Sequence, residues 1–165
     1  MLIGLISDTH IDSPNERLPS QVHGVFRGVD LILHAGDIWI PTVLDELENT
    51  APTLAARGDD DRDIDIGDDH RIKEHQIITF EGYTIYLMHS KPHLRKLPTL
   101  TQDSASHPDI VVYGHNHRSG IERHNGTLLV NPGSPTVPRY IPRLGTVGLI
   151  HIKRGNIDAQ IVQLE

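Results

Sequence analysis

Histidine and aspartate recur along this chain in short clusters, and each cluster follows an apolar run. Leu2–Ile6 leads into Ser7-Asp8-Thr9-His10, Leu31–Leu33 into His34-Ala35-Gly36-Asp37, and Thr53–Ala56 into Arg57-Gly58-Asp59-Asp60. Tyr83–Leu87 leads into Met88-His89-Ser90, and Ile110–Tyr113 into Gly114-His115-Asn116-His117. Imidazole and carboxylate without thiol form the ligand inventory of a hard or borderline metal site. With no cysteine among 165 residues, disulfides, thiolate zinc sites and cysteine nucleophiles are excluded. A single cation takes about three to six ligands. Asp8, His10, Asp37, Asp59, His89, His115 and His117 offer seven donors, which suits two cations sharing a bridging carboxylate better than one. Two cations about 3.5–4 Å apart generate hydroxide and stabilise an in-line displacement at phosphorus.

Taken singly, each cluster is ordinary. Asp-x-His after a strand is usually a turn or helix cap, Gly-Asp is plain turn chemistry, and His89 alone reads as a hydrogen-bonded histidine near the core. His115-x-His117 is a stronger signal, because residues i and i+2 of an extended segment share a face. The conjunction carries the weight. Ligands gather at the carboxyl ends of strands in α/β sheets, and here five β-like runs all end in such groups.

The elements that must position these residues are legible as short apolar runs bounded by turn residues. Strands are expected at Leu2–Ser7, Leu31–His34, Thr53–Ala56, Ile77–Phe80, Tyr83–Met88, Ile110–Tyr113, Thr127–Val130, Thr146–Ile152 and Ile157–Leu164. Glu81-Gly82 and Arg154-Gly155-Asn156 read as hairpin turns. Helical spacing appears over Pro19–Gly28, over Thr42–Asn49 after Pro41, and more weakly between His93 and Ser106. The first half thus reads β-α-β-α-β and the second half mostly β, which predicts a layered α/β fold with mixed sheets. At this length, residues 1–165 are most simply one domain.

Composition narrows the partners. The balance of 22 Asp+Glu against 15 Lys+Arg argues against broad adhesion to nucleic acid or anionic lipid. The apolar N-terminus is interrupted by Asp8, lacks a preceding basic segment and is too short for a signal peptide or membrane span. A soluble, cytoplasmic protein is the expectation.

In their order, Asp8-x-His10, Gly36-Asp37, Gly58-Asp59-Asp60, His89 and Gly114-His115-x-His117 resemble the motif set of the calcineurin-like metallophosphoesterases. Chain length, His34-Ala35-Gly36-Asp37 and Asn131-Pro132-Gly133-Ser134 resemble the small YfcE-like phosphodiesterase branch. The resemblance implies a four-layer α/β/β/α sandwich with two mixed β-sheets and the metals at one edge. It implies two divalent transition-metal ions, manganese foremost, with iron, zinc or nickel as alternatives. Asp8, His10, Asp37 and His117 would hold the first, and Asp59, His89 and His115 the second, with Asp37 bridging. A metal-bridging hydroxide would attack phosphorus directly, making the protein a phosphodiesterase acting on a small phosphoester. Homo-oligomers are also consistent with the resemblance.

Departures from the family pattern single out further residues. The family usually has asparagine where Asp59 stands, and many relatives place a leaving-group histidine where Asp60 stands. Asp60 is therefore a candidate acid or substrate contact, and His34 a residue that either orients a ligand or meets substrate. Lys91, Arg118, Arg139 and Arg143 are candidates for phosphate contact, and Asn131–Ser134 for a structural turn near the site. A related retromer subunit has lost ligands and works as a protein-binding scaffold, which is the alternative reading. Of the seven aspartates between Asp59 and Asp69, Asp61 is expected near the site, and Asp63, Asp65, Asp68 and Asp69 in a solvated loop. An EF-hand is excluded there, because no glycine or glutamate falls at the required positions.

Overall fold

The computed structural model describes residues 1–93, 107–137 and 145–165. The chain alternates strand and helix at first: β1 (Leu2–Ile6), α1 (Ser20–Val25), β2 (Leu31–His34), α2 (Thr42–Glu48) and β3 (Thr53–Ala56). A short helix, α3 (Asp63–Ile66), precedes β4 (Ile72–Lys73), β5 (His75–Phe80) and β6 (Tyr83–Met88). Then follow β7 (Ile110–Val112), β8 (Gly120–His124), β9 (Thr127–Asn131), β10 (Thr146–Lys153) and β11 (Asn156–Gln163). Among the described residues, no helix is long and apolar enough to cross a membrane.

Two mixed sheets result. One runs β11-β10-β1-β2-β3-β4 and the other β5-β6-β7-β9-β8. Strands β1 to β4 are parallel neighbours, because the helical crossovers return the chain to the same end of the sheet each time. In the second sheet β6, β7 and β9 are likewise parallel.

Alternation along each strand separates the layers. Ile3 and Leu5 of β1, with Leu31 and Leu33 of β2, face the second sheet and meet Ile85, Leu87, Ile110 and Val112 there. Ile6 and Ile32 point the other way, against Val22 and Phe26 of the first helical layer and Leu44 and Leu47 of α2. Val111 and Tyr113 face outward from the second sheet with Tyr86 and Leu129. Each fully buried aliphatic side chain contributes about 1.5–3 kcal/mol, so the strand ends that carry the site emerge from a rigid double core. The expected helix between His93 and Ser106 lies outside the described residues.

Three elements escaped the sequence reading. β8 is a largely exposed edge strand with no apolar run, but Asn125 and Gly126, both at positive φ, form the tight turn that announces its hairpin with β9. β4 is two residues long and exists through its pairing with β3. α3 carries the sequence DIDI and lacks the apolar spacing of a packed helix.

The acidic run is more ordered than a solvated loop. Arg57 donates to the Asp61 carbonyl from Nε and Nη2, and its Nη1 lies 2.6 Å from Asp63 Oδ1. At the far end, Arg71 is buried and pairs with Asp69 at 2.5 Å, Asp45 at 2.7 Å and Glu48 at 2.9 Å. Asp69 is thus held in an ion-pair network, and Arg71 keeps its carboxyl below the usual range. Of the four aspartates expected in solvent, Asp68 and Asp63 are exposed, while Asp65 pairs with Arg62 and Asp69 with Arg71.

Candidate metal centre

Strand register brings the polar clusters level. Ile6 pairs with His34 and His34 with Ala55, so the loops after β1, β2 and β3 leave the first sheet side by side. In the second sheet Leu87 pairs with Val112, aligning the loops that carry His89 and His115. The loops then bond to one another. Asp8 N–H donates to the Gly36 carbonyl and His10 N–H to the Asp37 carbonyl. Across the sheets, His89 Nδ1 donates to the Ala35 carbonyl at 2.7 Å, and the His115 N–H donates to Asp8 Oδ1 at 3.0 Å.

All seven residues expected as metal ligands fall into two adjoining groups. In one, Asp8, His10, Asp37 and His117 each bring a ligand atom within 4.8 Å of the others; in the second, Asp59, His89 and His115 do the same. His10 Nε2 lies 3.1 Å from His117 Nε2, which is 3.6 Å from Asp8 Oδ1. His115 Nδ1 lies 3.1 Å from Asp59 Oδ2. Two donors at about 2.1 Å from one tetrahedral cation are roughly 3.4 Å apart, so these separations suit ligands of a common ion. Asp37 Oδ2 joins the groups, 3.7 Å from His10 Nε2 and 3.3 Å from His89 Nε2.

The donor chemistry fits a divalent cation. With Nδ1 of His89 donating to a carbonyl, Nε2 is left to face Asp37, and this buried nitrogen has no hydrogen bond of acceptable geometry. A backbone partner at one ring nitrogen is how proteins orient a metal-binding imidazole. Burial disfavours charge on His89, but Asp37, the Ala35 carbonyl and Asp8 outweigh it and push the ring up to about 9. The pocket therefore favours positive charge at that nitrogen, which a proton or a metal ion supplies. Burial also pushes the Asp8 carboxyl up, more than its Ser7 hydrogen bond and nearby imidazoles bring it down. For Asp37, burial is outweighed by His89 and the Asp60 N–H, which hold it below the usual carboxylate range.

Such convergence needs unusual backbone. Five of the seven, Asp8, His10, Asp37, His115 and His117, have positive φ, a conformation L-residues rarely adopt. It also needs close approach. A Cβ at Gly58 would collide with the Asp37 backbone and carboxylate, and one at Gly114 with Ser7 and Asp8. Those two glycines let neighbouring loops touch where side chains would hold them apart.

Asp61 underwrites this arrangement. Its buried carboxylate accepts four backbone N–H groups: those of Ile38 at 2.7 Å, Trp39 at 2.8 Å, Asp37 at 3.1 Å and Gly58 at 2.7 Å. It thereby ties the Asp37 loop to the Asp59 loop. On the other side, Ser134 Oγ donates to the Asp8 carbonyl and Thr136 Oγ1 to the Thr9 carbonyl. Asn131 donates to the Gly114 carbonyl and accepts from Gly133 N–H, so Asn131–Ser134 is a turn that braces the site. Ser134 belongs to the turn expected near the site, whereas Thr136 and Trp39 carry no separate sequence signal, since their roles depend on loops distant in the chain.

The other candidates are placed as follows. His34 is fully buried, accepts from Gly36 N–H at Nδ1 and bonds Thr9 Oγ1 through Nε2. Its contacts are with the first two loops, through Thr9 and Gly36. Asp60 is exposed, with Oδ2 4.0 Å from His10 Nδ1 and its N–H donated to Asp37 Oδ1. Lys91 is paired with Glu122 and lies 5.7 Å from the Tyr113 ring centroid. Arg118 is exposed, while Arg139 and Arg143 lie outside the described residues.

Two outcomes follow from the scaffold. Asp61→Asn sets an NH₂ group against two buried N–H donors, which at about 1–3 kcal/mol each should cost roughly 2–5 kcal/mol in urea unfolding. Metal uptake should fall with it; unchanged stability would show that Asp61 does not hold the loops. His34 is an acid-sensitive group, as His10 is, since burial, with His89 adding to it, lowers its ring from 6.5 to about 3. Its neutral form stabilises the fold above about 6.5, and that contribution is lost as pH falls toward 3. Metal-free protein should weaken between pH 6.5 and 5 with a slope that His34→Gln reduces, read by denaturation across pH.

A model of the calcineurin-like phosphoesterase superfamily domain matches residues 1–155. A probable metallophosphoesterase of Methanothermobacter thermautotrophicus is 35% identical, aligned over 99% of this chain and 92% of its own. A phosphodiesterase of Methanocaldococcus jannaschii is 26% identical, over 93% of this chain and 95% of its own. Among solved structures, zinc-complexed Vps29 from Entamoeba histolytica has the same fold, with a TM-score of 0.71 at 20% identity over 99% of both chains. The two ligand groups therefore sit in a domain of known kind, and the chain belongs to the calcineurin-like phosphoesterase superfamily.

Proposed function

We propose that the protein is a phosphodiesterase whose seven ligands hold two divalent cations, manganese foremost, and that water attacks phosphorus and displaces the alcohol in line without a covalent enzyme intermediate. One observation carries this reading: a single oxygen, Asp37 Oδ2, stands 3.7 Å from His10 Nε2 and 3.3 Å from His89 Nε2, where it can serve both groups. The phosphodiesterase and probable metallophosphoesterase relatives support it. Two cations, when bound, supply Lewis acidity toward phosphoryl oxygens and a nucleophile from water at neutral pH.

The chain's own residues define the rest. Asp8 and Asp37 lie at depth, whereas the Asp59 and His115 side chains are 64% and 53% exposed, so an ester enters from the second group's side. Exposed Asp59 and Asp60 repel a dianionic monoester more than a monoanionic diester, which favours the diester. The hydroxyls of Ser7 and Ser134 are committed to Asp8 and do not present a nucleophile. Asp60, at the rim beside His10, is our candidate to relay a proton from solvent to the departing alcohol.

Metal analysis of replete protein should give about two ions per chain, with turnover of bis-p-nitrophenyl phosphate. Asp37→Ala should lower turnover at least roughly a hundredfold, since even indirect metal partners are worth 10–100-fold. One ion or none, or unimpaired Asp37→Ala, would overturn the assignment. Two bound ions without turnover of any phosphoester would favour the protein-binding scaffold. Asp60→Asn should slow alkyl diesters about 10²–10⁴-fold but barely affect p-nitrophenyl esters, whose leaving group needs no proton. An equal loss on both would remove Asp60 as the acid.

A further inference from the structure

Beside the metal groups lies a cavity of about 400 Å³ lined by Asp12, Trp39, Ile40, Asp60, Arg62 and Asp65. That volume is within the usual range of small-ligand sites. It opens directly from the first ligand group: the Trp39 ring centroid is 4.9 Å from that of His10, and Asp60 Oδ2 is 4.0 Å from His10 Nδ1. A diester whose phosphoryl group sits at the ligands would therefore place its second substituent here.

The lining selects by charge and by surface. Arg62 Nε is bound to Asp65 Oδ2 at 2.5 Å, so the one guanidinium among the described lining residues is matched by a carboxylate. Asp12 and Asp60 remain, so the described lining is net negative. An anionic substituent is disfavoured by this wall. Trp39 and Ile40 supply the apolar surface, and tryptophan is the best side-chain partner for a cation over a ring face. Trp39 is also held deliberately: it has φ of 75°, a costly conformation for a bulky residue, with its N–H bonded to Asp61.

We propose that this cavity takes an ammonium group, so that the substrate is a phosphodiester of an amino alcohol. The substrate assignment rests on the phosphodiesterase reading; the ammonium site can be tested without it. A nucleobase would find one aromatic wall and no second ring for stacking among the described lining residues.

Trp39 is the only tryptophan in the chain, so its emission reports on the cavity. Choline and its uncharged tert-butyl isostere are titrated into manganese-loaded protein. Choline should give a saturable change in emission at about tenfold lower concentration than the isostere. Asp12→Asn, a change at an exposed position, should weaken choline several-fold and leave the isostere unchanged. In turnover, p-nitrophenyl phosphorylcholine should exceed its tert-butyl isostere about tenfold in kcat/KM, and should exceed the p-nitrophenyl ester of thymidine monophosphate. Equal binding of choline and isostere, or preference for the nucleotide diester, overturns the proposal. Cleavage of bis-p-nitrophenyl phosphate without ammonium preference would sink the substrate assignment and leave the phosphodiesterase reading intact. Selective choline binding without turnover of any diester would do the reverse.

Discussion

Asp37 Oδ2 faces His10 from the β1 loop on one side and His89 from the second sheet on the other, at 3.7 Å and 3.3 Å. Around it, Asp8 and the remaining imidazoles crowd into a space where burial opposes charge. Groups this close are mutually costly unless a cation lies among them. The parallel strands aim five loops at one edge, glycines remove the side chains that would keep those loops apart, and positive φ turns the ligands inward. The rest of the architecture is arranged to bear that crowding.

Most of the bearing is done by groups that never reach a ligand. Asp61 gathers four N–H groups from two loops, His34 links the first two loops, and Ser134 and Thr136 hold the first from behind. Arg57 and Arg71 fasten the two ends of the acidic segment to the body of the protein. Unpaired, that segment would repel itself into solvent. Fastened, it offers Asp59 and Asp60 to the site, and Asp65 and Arg62 to the adjoining cavity wall.

Much of this was legible beforehand. The seven candidate ligands were readable because each follows an apolar run, and a strand's carboxyl end is a predictable place. Mixed sheets followed from β-α-β-α-β and then strands, since parallel neighbours need crossover connections, and their number from the family resemblance. β4 and α3 were not legible, because neither has enough apolar residues to announce itself; both depend on neighbours distant in sequence. β8 was different, since Asn125-Gly126 was a visible turn signal that its polar strand concealed. The acidic run was half read: charge density suggested solvent, while the partners of Asp65 and Asp69 appear only once Arg62 and Arg71 are in place.

By itself, then, the sequence determined which chemistry is available: nitrogen and oxygen ligands, no thiol, at the ends of strands whose alternation sets their faces. Tertiary structure alone decided how the ligands divide, which oxygen they share, that His34 is sealed from solvent, and that Trp39 walls a cavity beside them. The physical reason is range. Residue type and strand periodicity are local properties, whereas a 3 Å contact between residues tens of positions apart depends on sheet register and on how closely two backbones can approach.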